Sequence, residues 1–266
     1  MSVELAIAKA IAEIEARHDV RVLYAAESGS RAWGFASPDS DFDVRFIYVH
    51  QRDWYVSIDE PRDVIEAMLP GDLDLSGWDL RKTLRLFLRC NSALNEWLGS
   101  PIIYAEVGDL VAQLRTLLPF AFRAPAAYHH YLGMAKGVFD AHLAGDPVRL
   151  KKVFYVLRPL LACRFIRETG SQPPTEFEQL VNTAWVSAAE RAMIAQLRIA
   201  KAEASEAQRK ELDPAIRAWF EQEIQSASNA SETIRSAASI QTASLNELLR
   251  GVITGLREGQ IATSKT

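Results

Sequence analysis

Cysteine is nearly missing from this chain, which holds only Cys90 and Cys163, 73 positions apart. Both fall within apolar helical patterns, so they read as small buried hydrophobes rather than a disulfide or a metal pair. Long apolar runs are missing too. None approaches the roughly 18 residues that a membrane span needs, and no membrane association is expected. Acidic Glu4 and then Lys9 interrupt any apolar core of a leader peptide, so the expected location is cytoplasmic. A basic excess is also lacking, since 30 Lys and Arg face 34 Asp and Glu, for a net charge of −4. That balance argues against a domain held on nucleic acid by bulk positive charge, while leaving room for a local basic groove. No His or Cys cluster has zinc spacing, and no Ser-His-Asp order stands out.

What is present is an ordinary globular composition of 266 residues, enough for one large domain or two small ones. Ile7, Ile11 and Ile14 recur at helical spacing within residues 3–16, which predicts an amphipathic first helix. VRVLYAA, residues 20–26, is β-branched and aromatic and reads as a buried strand. A turn-rich stretch follows over residues 27–40, with Gly29, Gly34 and Pro38, and FDVRFIYV, residues 42–49, reads as a second strand. Short strands are expected at 63–68 and 73–75, turned by Pro70-Gly71. From residue 79 onward helices dominate, with spans expected near 79–90, 92–98, 106–118, 125–144, 147–168, 175–184 and 187–203. Beyond about 205 the chain is rich in Ala, Ser, Glu and Gln, and reads as a solvated helix, a frayed tail or a segment for a protein partner. The expected organisation is a mixed domain over 1–100, a helical bundle over 101–204 and a tail over 205–266.

The chemistry-bearing stretch is ESGSRAWGFASPDSDFDVRF, residues 27–46. Gly29-Ser30 follows a strand, and a glycine there lets backbone approach a phosphate closely, with the Ser30 hydroxyl as a further donor. Asp41 and Asp43 begin the second strand at i and i+2, so both are expected on one face, with Phe42 and Val44 toward the core. Two carboxylates that close repel, and a hard divalent cation such as Mg²⁺ or Mn²⁺ resolves the repulsion while also taking substrate phosphates. A bare pair of acids two residues apart is more often a solvated strand edge; the Gly-Ser turn upstream shifts the balance to a metal site. For a third acid, Asp74 ranks first because Leu73 and Leu75 flank it on the opposite face. Asp72 lies on the same side but nearer the turn, and Asp79 reads better as a helix N-cap.

The pattern GS-x10-DFD followed by a lone strand acid resembles the polymerase-β-like nucleotidyltransferase superfamily. Closer in, GSRAWGFASPDSDFDVRFIY and DLSGWDLRKTLRLFLRCNSALNEWLGSPIIY are similar to predicted nucleotidyltransferases of an RNA-ligase-associated type, as are HHYLGMAKG and KKVFYVLRPLLACRFI. The resemblance covers about residues 20–185 and implies an α+β fold: a small mixed sheet with flanking helices, then an all-helical C-terminal bundle. It implies transfer of a nucleoside monophosphate from an NTP, ATP among them, to a hydroxyl, with release of pyrophosphate. Gly29 and Ser30 would cradle the triphosphate, Asp41, Asp43 and Asp74 would hold the metal ions, and Asp74 would assist deprotonation of the acceptor. The acceptor stays open between an RNA end, a small molecule and a protein.

Arg31 beside the turn is a candidate for the β- or γ-phosphate, and Arg45 either touches phosphate or braces the carboxylates. Lys82, Arg85 and Arg89 share a helix face; Lys82 leads as a phosphate ligand because it lies in the family-like motif. Trp33 and Trp78 could stack on a base, though packing is favoured. Lys152, Tyr155 and Arg158 are candidates for phosphate or acceptor contacts, with interdomain packing slightly favoured. A nucleotide-binding sensor without turnover is the competing reading.

Overall fold

The computed structural model describes residues 2–37, 40–202 and 209–257; Met1, Pro38, Asp39, residues 203–208 and those beyond 257 lie outside the described residues. The chain divides into two compact units, one of Met1–Ala32, Asp41–Ala121 and Ala238–Thr266, the other of Trp33–Ser40 and Phe122–Ala237. Among the described residues no helix is long and apolar enough to cross a membrane.

The first unit runs α1 (Val3–His18), β1 (Val20–Glu27), α2 (Gly29–Ala32), β2 (Phe42–His50), α3 (Arg52–Tyr55), β3 (Val64–Leu69), β4 (Leu73–Asp79), α4 (Leu80–Leu88), α5 (Ser92–Leu98), β5 (Ile103–Glu106) and α6 (Leu110–Ala121). The final helix, Thr242–Arg257, belongs to it as α12. The strands form one mixed sheet in the order β3-β4-β2-β1-β5, with β2 and β4 parallel and the other pairs antiparallel.

Helix α1 forms because Ile7, Ala10, Ile11 and Ile14 make one apolar stripe, and that stripe packs on one sheet face against Val22, Val44, Phe46, Ile65 and Leu75. Each buried isoleucine contributes about 1.5–3 kcal/mol. The other face is divided. At one end Leu23, Ile47 and Val49 lie under α4, α5, α6 and α12, in a core with Leu84, Phe87, Leu94, Leu114, Leu245 and Leu248. At the other end, period-two alternation puts Asp43 and Arg45 of β2, Asp74 and Ser76 of β4, and Glu66 and Met68 of β3 on that same face.

Among the departures from the sequence-based expectation, two concern the sheet. The helix expected at 106–118 starts only at Leu110, because Ile103–Glu106 is an edge strand paired to β1. Its β-branched and aromatic residues favour the sheet, and a four-residue strand is too short to announce itself by periodicity. Strand β4 runs on past Leu75 to Asp79. Ser76 and Gly77 are poor strand formers alone, but Gly77 pairs with Phe46, and a Cβ there would meet the Phe46 ring at 2.1 Å. The missing side chain makes room for the ring, so tertiary packing overrides local propensity.

The second unit is helical: α7 (Ala124–His142), α8 (Leu150–Thr169), α9 (Phe177–Val181), α10 (Ala188–Ala202) and α11 (Pro214–Ala230), with a two-residue strand pair, β6 (Val148–Arg149) and β7 (Arg209–Lys210). Residues 33–40 belong to this unit. Trp33 offers its carbonyl to the Phe177 N–H at 2.9 Å, and buried Lys201 donates to the Phe35 carbonyl and, at 3.0 Å, to Ser37 Oγ. Of the segment expected as a tail, α11 buries Phe220 in the helical unit, and α12 buries Leu245 and Leu248 in the core beneath the sheet.

Candidate active site

The site is assembled where β1 ends and β2 begins. Gly29 has φ +61°, the left-handed region, and a Cβ there would stand 2.4 Å from Asp43 Oδ2. The position therefore demands glycine twice, for its backbone and for the carboxylate pressed against it. Ser28 N–H donates to the Asp43 carbonyl at 2.9 Å, which ties turn to strand. Ser30 is buried, and Arg31 lies with its guanidinium 3.7 Å from the Phe42 ring centre while Nε donates to the Asp41 carbonyl at 3.1 Å.

Asp43 and Asp74 are register partners on the two parallel strands. Arg45 Nη2 stands between them, donating to Asp43 Oδ1 at 2.9 Å and to Asp74 Oδ2 at 2.8 Å. Its Nη1 also donates to the Asp74 carbonyl at 3.2 Å. Arg45 thus braces the carboxylates, one of the two roles open to it in the sequence. The guanidinium offsets the repulsion of two like charges brought together. Asp41 is placed otherwise than expected: β2 starts at Phe42, and Asp41 precedes it as an exposed residue. The i, i+2 argument needs both acids in the strand, and here only Asp43 is. Among the alternatives, Asp72 is exposed in the turn before β4. Asp79 is fully buried, caps α4 by accepting from Arg81 N–H at 2.8 Å, and accepts from the Tyr55 hydroxyl. Burial pushes its carboxyl up, against those hydrogen bonds. Asp79 serves the helix.

The sequence reading passed over Glu27, the last residue of β1, whose side chain is fully buried. One of its oxygens accepts from Asp43 N–H at 2.8 Å, and the other accepts from the Tyr104 hydroxyl of β5. Burial raises its pKa, opposed by those two donors. An acid closing an apolar strand directly before the Gly-Ser turn was the available signal. Glu27 fixes the backbone that carries Asp43.

The donor chemistry of Asp43 and Asp74 fits a hard cation, because their oxygens already converge on one cationic nitrogen. Among the described residues, however, no three or more His, Cys, Asp or Glu side chains are grouped as a metal site.

A cleft of 570 Å³ opens beside this pair, lined by Ser28, Arg45, Asp74, Ser76, Trp78 and Trp97 among others. Lys82 lies in the first turn of α4, its ammonium 2.9 Å from Asp63, while Arg85 is exposed. In the helical unit, Lys152 stands 5.3 Å from the Tyr155 ring centre, and lines a polar concavity with Arg149 and Arg209. Tyr155 packs edge-on to Trp33 at 5.2 Å. Arg158 is fully buried, donates to the Thr175 carbonyl at 3.2 and 3.1 Å, and lies 4.5 Å from the Trp33 ring centre. Its guanidinium is engaged within the helical unit, which gives no support to the phosphate contact considered for it. Trp33 likewise packs, as favoured.

A five-stranded mixed sheet with flanking helices, joined to a helical unit, is the fold class that the family resemblance implied. The chain belongs to the RNA repair pathway DNA polymerase beta family, whose model matches residues 3–251. It is 42% identical over 240 residues to the uncharacterized protein YcgL of Bacillus subtilis (strain 168), across 90% of this chain and 92% of that one. Among solved structures it is similar to a nucleotidyltransferase-like protein from Exiguobacterium sibiricum 255-15, at 13% identity and a TM-score of 0.32, covering 95% of this chain and 80% of that chain. Membership supports nucleotidyl transfer as the general class of activity.

Proposed function

We propose that this protein transfers a nucleoside monophosphate from an NTP to a hydroxyl acceptor and releases pyrophosphate. The observation that carries the proposal is the register-matched pair Asp43 and Asp74, held by Arg45 and pressed against the Gly29 turn, in a chain of a polymerase-β-type family. Gly29 lets the triphosphate approach the backbone, with Ser30 and Arg31 as the nearest further donors. Asp43 and Asp74 would hold Mg²⁺ or Mn²⁺, with exposed Asp41 as the candidate third ligand; such an ion supplies charge stabilisation to the reacting phosphate. The acceptor hydroxyl gives its proton to the Asp74 carboxylate as its oxygen bonds to the α-phosphorus. The bond to the β-phosphate oxygen breaks on the opposite side, and pyrophosphate leaves with that electron pair.

Incubation with Mg²⁺, each labelled NTP and RNA, polyol or peptide acceptors tests this. Labelled product and pyrophosphate are expected, and both disappear in Asp43→Asn. No product with any acceptor refutes the transfer reading. One observation favours a second reading, a nucleotide-binding sensor without turnover: Arg45 already supplies the cation between the carboxylates, and no third acid joins them among the described residues. A sensor binds NTP, yields no product, and keeps its affinity when Asp74 becomes Asn.

A further inference from the structure

A groove of 1030 Å³ lies within the first unit and shares no lining residue with the cleft beside Asp74. Helices α6 and α12 wall it. Ser244, Glu247, Gly251 and Gly255 recur every three or four residues and so form one stripe along α12. Asp109, Gln113 and Thr116 do the same along α6, where the Asp109 carbonyl accepts from Gln113 N–H at 2.9 Å. The floor is apolar: Leu23, Leu110 and Leu248 are buried, and Leu117 and Val252 are half-buried.

Three features of the groove define its occupant. The first is shape. The α12 stripe runs for about 16 Å at 1.5 Å per residue, a length that three turns of a third helix would fill. The volume stands at the upper end of the roughly 300–1,000 Å³ of small-molecule sites. The second is glycine. Gly251 lies inside α12, exposed and without a positive φ, and a Cβ there would meet nothing within 4 Å. Neither its backbone nor packing within the described residues demands glycine, which inside a helix is less favourable than alanine. Its missing side chain leaves the wall open to close approach by another backbone. The third is charge. Asp109 and Glu247 are the charged residues of the lining, both are exposed, and neither is in an ion pair among the described residues.

We infer that this groove docks an amphipathic helix of a partner protein. The apolar face of that helix lies on Leu110, Leu117, Leu248 and Val252, and basic residues flanking it reach Asp109 and Glu247. Apolar anchors at i, i+3 or i+4 and i+7 are the spacing by which a helix fills such a groove. The apolar floor supplies the affinity, and the two acids select the sign of the partner. The docking does not depend on the transfer reading.

Two labelled model peptides of about four helical turns test this with the full chain, read by fluorescence anisotropy. They share one leucine stripe and carry lysines or glutamates at the remaining positions. Wild type is expected to bind the lysine peptide at least tenfold more tightly than the glutamate peptide. Gly251→Leu fills the groove from its wall and raises helix propensity. It is expected to weaken lysine-peptide binding at least tenfold while its melting temperature stays at or above that of wild type. Asp109→Lys with Glu247→Lys reverses the preference between the peptides. Glu13→Lys with Glu221→Lys, an equal change of charge at exposed positions elsewhere, keeps it. Equal affinity of the lysine peptide for wild type and Gly251→Leu overturns the inference, as does an equal change of preference in the two charge-reversed variants. So does a wild-type dimer in sedimentation that Gly251→Leu abolishes, since the groove then takes a second copy of this chain.

Discussion

Replacing Gly29 by alanine separates the backbone demand of the turn from the demand of the carboxylate. At φ +61° an L side chain costs about 1–2 kcal/mol, partly offset by the lower entropy of an unfolded chain with one glycine fewer. The net loss of stability is about 1 kcal/mol. The second effect is steric. The new Cβ would lie 2.4 Å from Asp43 Oδ2 and 3.3 Å from Cγ, so the carboxylate must retreat by about 1 Å to reach ordinary contact. It cannot move freely, because its other oxygen is bonded to Arg45 and the Asp43 N–H to Glu27. A misplacement of about 1 Å at a reacting centre can cost on the order of 100-fold in rate. Gly71→Ala is the control in the same unit, since Gly71 has φ +86° and nothing within 4 Å of a built Cβ. Thermal melts should show similar small losses for the two variants, while pyrophosphate release falls about 100-fold in Gly29→Ala alone. If Gly29→Ala stays within threefold of wild type, or Gly71→Ala loses as much, the contact between turn and carboxylate is not what positions Asp43.

Three further outcomes follow from the same geometry. Tyr55→Phe strips a donor from buried Asp79 and should lower stability in urea melts by about 1–3 kcal/mol; no change would mean that the hydroxyl is not needed there. Arg45→Gln leaves Asp43 and Asp74 without their shared cation, so added Mg²⁺ should raise its melting temperature more than that of wild type, and an equal rise would contradict a cation site at this pair. In the helical unit, burial works against ionisation of Glu190, but hydrogen bonds from Arg164 and Ser187 outweigh it and hold the carboxyl down at about 2, against an ordinary 4.5. A lowered pKa stabilises the fold above the ordinary value, and the gain is lost as pH falls from about 4.5 toward 2. Wild type should lose up to roughly 3 kcal/mol across that window, and Glu190→Gln should flatten this limb of the stability curve.

The strands and helices with strong periodicity were readable in the sequence: α1 by its isoleucines, β1 and β2 by their β-branched runs, and α5 at the same bounds, Ser92–Leu98. Strand β5 and the far half of β4 were not, because their residues acquire strand geometry only through partners remote in sequence, β1 for one and Phe46 for the other. At the site, the turn, the place of Asp74 on the face of Asp43 and the capping by Asp79 could be argued from alternation and capping. The reach of Glu27 to Asp43 N–H could not, because it depends on two strand ends meeting. Nor could the place of Asp41, since a strand's first residue is set by its pairing and not by the acid that precedes it. Period two named the residues on the open half of the sheet; only α4, α5, α6 and α12 show which half is covered.

The central claim is that Asp43 and Asp74 act together in nucleotidyl transfer. Its most direct test is pyrophosphate release from labelled NTP with Mg²⁺ and RNA for wild type, Asp43→Asn, Asp74→Asn and the exposed turn variant Asp72→Asn. The account predicts release by wild type and Asp72→Asn and at least a 100-fold loss in the other two. Undiminished release in Asp43→Asn or Asp74→Asn would contradict it.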